Sequence, residues 1–346
     1  MDLEIFVKKY GRYFKYILGL TLIVIAFFIL YPKLKSSYHD IPILLKEANK
    51  AFLLFLIIFQ GICYFGDGWL SKILLKIAGF NLKLKETLEV AFLGVIGGQF
   101  IPLIGGSIIT YFFYRKLKVS SGAILFLITG WSIFTLFSYF LFFLLSIVFL
   151  PESFLHFIPP KSIFIILILV VFLFILTFFL FKNRGKFFLY LLNFFVRIIN
   201  RAGRFFRKKE IINPGRSKIF VSDFYASFDL LLTDKTKIPL ALLAAILFYA
   251  GNVSTLYFSF LVFGFRPNLA LLVFGFTIGT VLPVFTLLAE TPGVMEASLT
   301  LIFTGLGFPV HIALFSSLLF RLFSFWLPLP VGIFSYFKLK KQIIKL

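Results

Sequence analysis

"GVIGGQFIPLIGGSIITYFFYRK", residues 94–116, decides how the rest of the chain is read. Five glycines and Pro102 interrupt an apolar run that Arg115 and Lys116 close. Glycine and proline weaken a helix interior. At membrane depth a broken backbone survives only where protein or a water-filled cavity satisfies its polar groups. The stretch therefore poses a choice between one long helix through a bilayer and a hairpin folded at Pro102 beside a cavity.

The bilayer follows from composition. With 60% hydrophobic residues, 53 phenylalanines and a mean hydropathy of +1.03, the chain has too much apolar surface for one soluble core, and long segments must face lipid. The net charge of +21 does not point to nucleic acid, because the basic residues gather at the ends of apolar runs. Lipid headgroups and the positive-inside bias account for that placement. A single cysteine, Cys63, excludes an intrachain disulfide. His39, His156 and His311 are far apart, and no CxxC, HExxH or phosphate-binding GxxxxGK[ST] motif occurs. The expectation is a membrane protein with no metal, no cofactor and no ATP-driven step of its own.

Apolar runs fall at about 16–31, 51–70, 88–113, 122–149, 162–181, 239–264, 268–289, 296–308 and 310–336. Lys8, Lys9, Arg12 and Lys15 precede the first, with no small-residue cleavage site after it, so it reads as an uncleaved signal anchor with a cytoplasmic N-terminus. Residues 182–218 carry eleven basic residues against one acidic and belong on the cytoplasmic side. Counting crossings puts that block outside if 88–113 spans fully, and inside if it enters and leaves by the cytoplasmic face. The hairpin reading is thus preferred. By the same count, the stretch 274–307, with Gly275, Gly279, Pro283, Pro292 and Gly293, starts and ends outside, leaving Lys338, Lys340, Lys341 and Lys345 cytoplasmic.

Two Gly/Pro-interrupted elements entering from opposite faces are the signature of an inverted repeat with a midplane site. The plainer reading is that glycine and proline only help membrane helices to pack. The expected fold is an all-α polytopic transmembrane bundle, about six full spans plus two broken or re-entrant hairpins. It forms one integral domain. Residues 1–181 hold a hairpin near 88–114, residues 182–237 are a basic cytoplasmic interfacial linker, and residues 238–346 hold a broken element near 268–308. In the linker, Arg197, Arg201, Arg204 and Lys208 share one helical face, opposite Phe, Leu and Ile. Each such cation contributes about 1 kcal/mol near an anionic surface. That face anchors the protein, or also gathers anionic lipid.

In order and spacing, "GQFIPLIGGSIITYFFYRK", "TPGVMEASL" and "SLLFRLF" resemble the transmembrane region of lysylphosphatidylglycerol synthases, a flippase-like family that includes stand-alone members. Pro102, Gly106, Arg115, Gly293, Glu296, Ala297 and Arg321 match its motifs. Ile104, Ser107, Thr110 and Thr291 depart from them, removing the charged part of the first half. The resemblance implies movement of a polar lipid between leaflets: a phospholipid, an aminoacyl-phospholipid or a polyprenyl-phosphate lipid. It also implies the translocating half without the soluble synthase domain, in the cytoplasmic (inner) membrane, with membrane lipids, anionic or polyprenyl-phosphate ones, and a lipid-synthesis enzyme as partners.

Intramembrane charges are costly and face a cavity or a partner. Glu290, Glu296 and Arg321 qualify, and a Glu296–Arg321 pair serves as hinge, as headgroup contact, or only as a structural pair that fixes helix register. Arg115 and Lys116 can grip a lipid phosphate or simply anchor the hairpin at the surface. Gln99 and Ser107, flanking Pro102 and Gly106, can hydrogen-bond a headgroup or the broken backbone itself. Asp67, in "FGDGWLSK", reads as interfacial. The substrate-binding set is Gln99, Pro102, Gly106, Ser107, Arg115, Lys116, Glu290, Gly293, Glu296 and Arg321. No Ser/His/Asp set or carboxylate pair suggests catalysis, so a non-enzymatic translocator is expected ahead of a membrane-embedded lipid-modifying enzyme or an accessory subunit of a synthase.

Overall fold

The structure, a computed structural model, describes residues 46–100, 105–151, 214–233, 236–285 and 293–344. The expected runs at 16–31 and 162–181 and the Arg197–Lys208 face lie outside them. Among the described residues all regular structure is helical. In chain order the helices are α1 (Phe52–Ile77), α2 (Leu84–Phe100), α3 (Gly105–Lys116), α4 (Ser121–Val148), α5 (Pro214–Thr233), α6 (Lys237–Val262), α7 (Leu269–Phe285), α8 (Val294–Gly305), α9 (Val310–Arg321) and α10 (Pro328–Ile344). A π-helical turn, Leu322–Trp326, joins the last two.

Four of these stretches are long and apolar enough to cross a bilayer: Phe52–Ile77, Ser121–Val148, Lys237–Val262 and Val310–Lys338. At 1.5 Å per residue, the 12 residues of α3 or of α8 reach only about 18 Å, well short of a hydrocarbon core about 30 Å thick. Between each pair of long helices therefore sits a pair of shorter ones.

The first short pair answers the choice posed by residues 94–116. Gly97 on α2 faces Gly105 on α3, so closely that a Cβ there would lie 2.3 Å from the Gly105 carbonyl oxygen. Nearer the N-terminus of α2, Gly94 faces Gly106 and Thr110. Residues running forward on α2 meet residues running backward along the chain, so α2 and α3 form a helical hairpin rather than one rod. Glycine supplies the close backbone approach that larger residues block. The second pair follows suit: Gly279 of α7 packs on Leu299 of α8, and the Ser298 hydroxyl donates to the Gly279 carbonyl at 2.9 Å.

Helices α1 and α6 form the central contact and run antiparallel. Gly66 abuts the backbone of Ala244 and Phe248, Gly251 abuts the backbone of Cys63, and near the end of the crossing Asn49 N–H donates to the Val262 carbonyl. Helix α2 also packs on α10, where Gly332 lies against the Phe92 carbonyl and Lys338 pairs with Glu89. Helix α7 packs on α4. The basic segment ends in α5, whose Phe224 and Leu231 are buried and which packs against α4.

Helix starts follow local chemistry. Ser120 caps α4, its hydroxyl accepting from Ala123 N–H at 3.2 Å, and Asn268 caps α7 through Ala270 and Leu271 N–H. The apolar residues outnumber what the bundle can bury, so Leu54, Ile57, Ile58 and Phe65 leave one face of α1 exposed. That face is the lipid face of a spanning helix.

Candidate functional site

On α1 the face away from those exposed residues carries Gln60, Tyr64, Asp67 and Ser71. Their spacings of four, three and four keep them on one stripe, about 16 Å long at 1.5 Å per residue. All four line a cavity of about 650 Å³. Its other walls come from both hairpins and the flanking spans: Gly94, Gly106, Ser107 and Thr110; Trp131 and Thr135; Asn252; Thr280; and Arg321 with Ser324. The cavity thus lies between the two main apolar cores, touching Val90 and Leu127 of one and Phe276 and Phe320 of the other. Ser132 and Leu136, which also line it, are exposed on α4, so the cavity opens toward the outer face of that helix.

Arg321 dominates one wall. It is only 9% exposed. Its Nε lies 3.4 Å from Oε1 of buried Glu296, its guanidinium sits 4.3 Å over the Phe325 ring, and its Nη2 finds no hydrogen-bond partner among the described residues. Glu296 divides its carboxylate, because Oε2 accepts from Gly293 N–H at 2.8 Å. That contact closes the first turn of α8 and depends on Gly293, whose φ of 87° lies in the left-handed region that favours glycine. The charge of Arg321 is held from behind by one long ion pair while one edge of its fork stays open, and an unsatisfied buried donor of this kind is costly unless something occupies the site.

The π turn completes this wall. Leu327 N–H reaches back five residues to the Leu322 carbonyl at 2.8 Å, and the Ser324 carbonyl, four residues before Pro328 with its missing N–H, accepts from the Tyr64 hydroxyl at 2.9 Å. Such single π turns recur at functional sites. Ser324 Oγ and Gln60 Oε1 are also buried without a hydrogen-bond partner among the described residues. Two oxygens and one guanidinium nitrogen, all on residues that line one cavity, thus lack a partner among the described residues.

The remaining polar wall is satisfied. Trp131 Nε1 donates to Asp67 Oδ1 at 2.7 Å, and Asn252 donates to the Phe248 carbonyl at 3.1 Å and to Cys63 Sγ at 3.0 Å. Asp67 thus belongs to the cavity wall. Its helix continues ten residues beyond it to Ile77, and Trp131 holds it at the cavity wall.

The structure brings together Gly106, Ser107 and Arg321 as lining residues, with Glu296 and Gly293 behind Arg321. Arg115 and Lys116 stand apart from the cavity and are exposed at the end of α3. Arg115 donates to the Val119 carbonyl at 2.8 Å, and Lys116 lies 5.3 Å over the Phe113 ring. Pro102, Glu290 and the side chain of Gln99 fall outside the described residues. Gln60, Tyr64, Asp67, Trp131, Asn252 and Ser324 join the site without having been singled out for it; the polar stripe on α1 is the signal that marks the first three. Among the described residues no cluster of three His, Cys, Asp or Glu side chains could hold a metal ion.

One family matches nearly the whole chain: the lysylphosphatidylglycerol synthase TM region, over residues 16–332. No curated relative matches it.

Proposed function

Since the chain belongs to the lysylphosphatidylglycerol synthase TM region family, and is an integral membrane protein related to lipid synthesis or flipping, we propose that it moves a phosphate-bearing polar lipid between leaflets. The headgroup travels through the central cavity while the acyl or prenyl chains stay in the bilayer. The observation that carries this reading is Arg321, buried, backed by Glu296, with Nη2 unpartnered among the described residues, on the wall of a cavity of about 650 Å³ that reaches the outer face of α4. A guanidinium with a free edge matches the paired oxygens of a phosphate.

The arrangement of the helices supports a transport mechanism. Each half has the order long helix, short pair, long helix, and the equivalent helices α1 and α6 are antiparallel. The hairpin of each half leans on the last helix of the other, α2 on α10 and α7 on α4. An inverted repeat related by a two-fold axis in the membrane plane imposes this pattern, with both hairpins re-entrant from opposite faces. Rocking of one half against the other then exposes the headgroup to each side in turn. The cytoplasmic membrane, with both termini on the cytoplasmic side, is the location this topology implies. The lipid leaves chemically unchanged, so the protein acts as a translocator and not as an enzyme.

The test is reconstitution in vesicles carrying acyl-labelled phosphatidylglycerol, with leaflet exchange read by quenching of the outer label. The wild-type protein accelerates exchange, and Arg321→Ala and Glu296→Gln lose most of it while keeping their fold. Exchange unaffected by both variants, or a change in the mass of the lipid, overturns the proposal.

A further inference from the structure

Among the described residues, Arg321 is one of two charged residues that line the cavity. The other is Asp67. Trp131 Nε1 donates to its carboxylate at 2.7 Å, and among the described residues no cation lines the cavity beside it except Arg321, which is already paired with Glu296. A half-buried carboxylate with no counter-charge beside it is unfavourable. Taken with Arg321 and Glu296, it leaves this part of the molecule one negative charge in excess. A purely anionic headgroup adds a second.

The surroundings of Asp67 suit an organic cation. No group of three metal-ligating side chains exists among the described residues. Trp131 and Phe248 line the cavity, their ring centroids 5.5 Å apart, and Tyr114 lines it as well. Aromatic rings beside a carboxylate attract an ammonium through the ring quadrupole as well as the charge. The two poles also belong to one site. Tyr64 ties its turn of α1 to the Ser324 carbonyl, three residues past Arg321, and Asp67 lies one turn further along the same helix. Gln60, 6% exposed and with Oε1 unpartnered among the described residues, lines the same cavity.

We propose that the cavity takes a zwitterionic phospholipid head, its phosphate on Arg321 Nη2 and its primary ammonium on Asp67 between Trp131, Tyr114 and Phe248. This rests on the translocator reading and names the substrate class within it. The ammonium recognises Asp67; the phosphate alone does not fill the site.

The experiment compares two probes that differ only in the amine: acyl-labelled phosphatidylethanolamine and its N-acetylated form, each at trace level in phosphatidylglycerol vesicles. With wild-type protein, capping the amine slows exchange about tenfold, the effect of one well-placed charge contact. Asp67→Asn, in which the amide oxygen still accepts from Trp131, lowers exchange of the ethanolamine lipid to the level of its capped form, and Asp67→Glu restores part of the difference. Equal exchange of the two probes by the wild type overturns the ammonium subsite while leaving translocation intact. So does an Asp67→Asn variant that slows both probes alike, since that marks a structural role. If neither probe is moved, the translocator reading fails separately, and retention of the two lipids on the detergent-purified protein, read by native mass spectrometry, decides the subsite. Preferential retention of the free amine supports it and equal retention refutes it.

Discussion

Substituting Gly66 by alanine probes the crossing on which the cavity is built. A Cβ at Gly66 would lie 2.6 Å from the Phe248 nitrogen and 2.7 Å from the Ala244 carbonyl oxygen, both backbone atoms that cannot rotate away. Bringing the first contact to an ordinary 3.4 Å requires α1 and α6 to part by roughly 0.8 Å, in an interface packed as densely as a crystal. Overpacking of this kind costs about 1–3 kcal/mol. Alanine also gains about 1 kcal/mol over glycine in a helix interior, so the comparison needs a control in which only that gain operates. Gly61, on the same helix, supplies it, because a Cβ there meets nothing within 4 Å. Gly61→Ala is expected to melt at or above the wild type, and Gly66→Ala about 1–3 kcal/mol below Gly61→Ala. Thermal unfolding in detergent can be followed through the reactivity of Cys63, which is the chain's single cysteine and is 2% exposed. The double variant Gly66→Ala/Gly251→Ala should cost less than the sum of its parts, since the first separation relieves the second. A Gly66→Ala protein as stable as Gly61→Ala refutes the close crossing.

Two further outcomes are expected. Gly293→Ala forces a left-handed conformation on a residue with a Cβ, costing about 1–2 kcal/mol, and by disturbing the Gly293–Glu296 contact it should slow leaflet exchange more than its loss of stability explains; a parallel loss of both refutes the link. Lys338→Glu should lower stability by no more than about 1 kcal/mol, because the pair with Glu89 is partly exposed, and Glu89→Lys in the same chain should restore it.

What the sequence disclosed depended on contrast. Glycine, proline and charge stand out against an apolar background, so the two interrupted elements were legible in residues 94–116 and 274–307, and the Glu296–Arg321 pair in its two charges. The other half of the site was hidden for the opposite reason. Asp67 lies near the end of an apolar run, which made it read as interfacial, and its partner Trp131 is 64 residues away on another helix. Tyr64 meets a carbonyl 260 residues away, one that Pro328 leaves without its helical N–H donor, and nothing near either residue in the sequence points to the other. The stripe Gln60, Tyr64, Asp67 and Ser71 was present throughout, but aromatic and hydroxyl residues are common enough in membrane helices that it declares itself only beside the fully apolar opposite face. Neutral hydrogen-bonding groups leave little imprint on hydropathy, and they make up most of this cavity's polar lining.

The wide turn at Leu322–Trp326 has one more effect, on everything that follows it. A single surplus residue in a helix rotates the downstream face by about 100° about the axis. The register in which Gly332 settles against Phe92 and Lys338 reaches Glu89 is therefore dialled in ten residues upstream, beside the arginine. Were that turn to tighten into an ordinary helix on one side of a transport cycle, the C-terminal rod would swivel off the first hairpin, and the same backbone unit that presents the guanidinium would act as the clutch between the two halves.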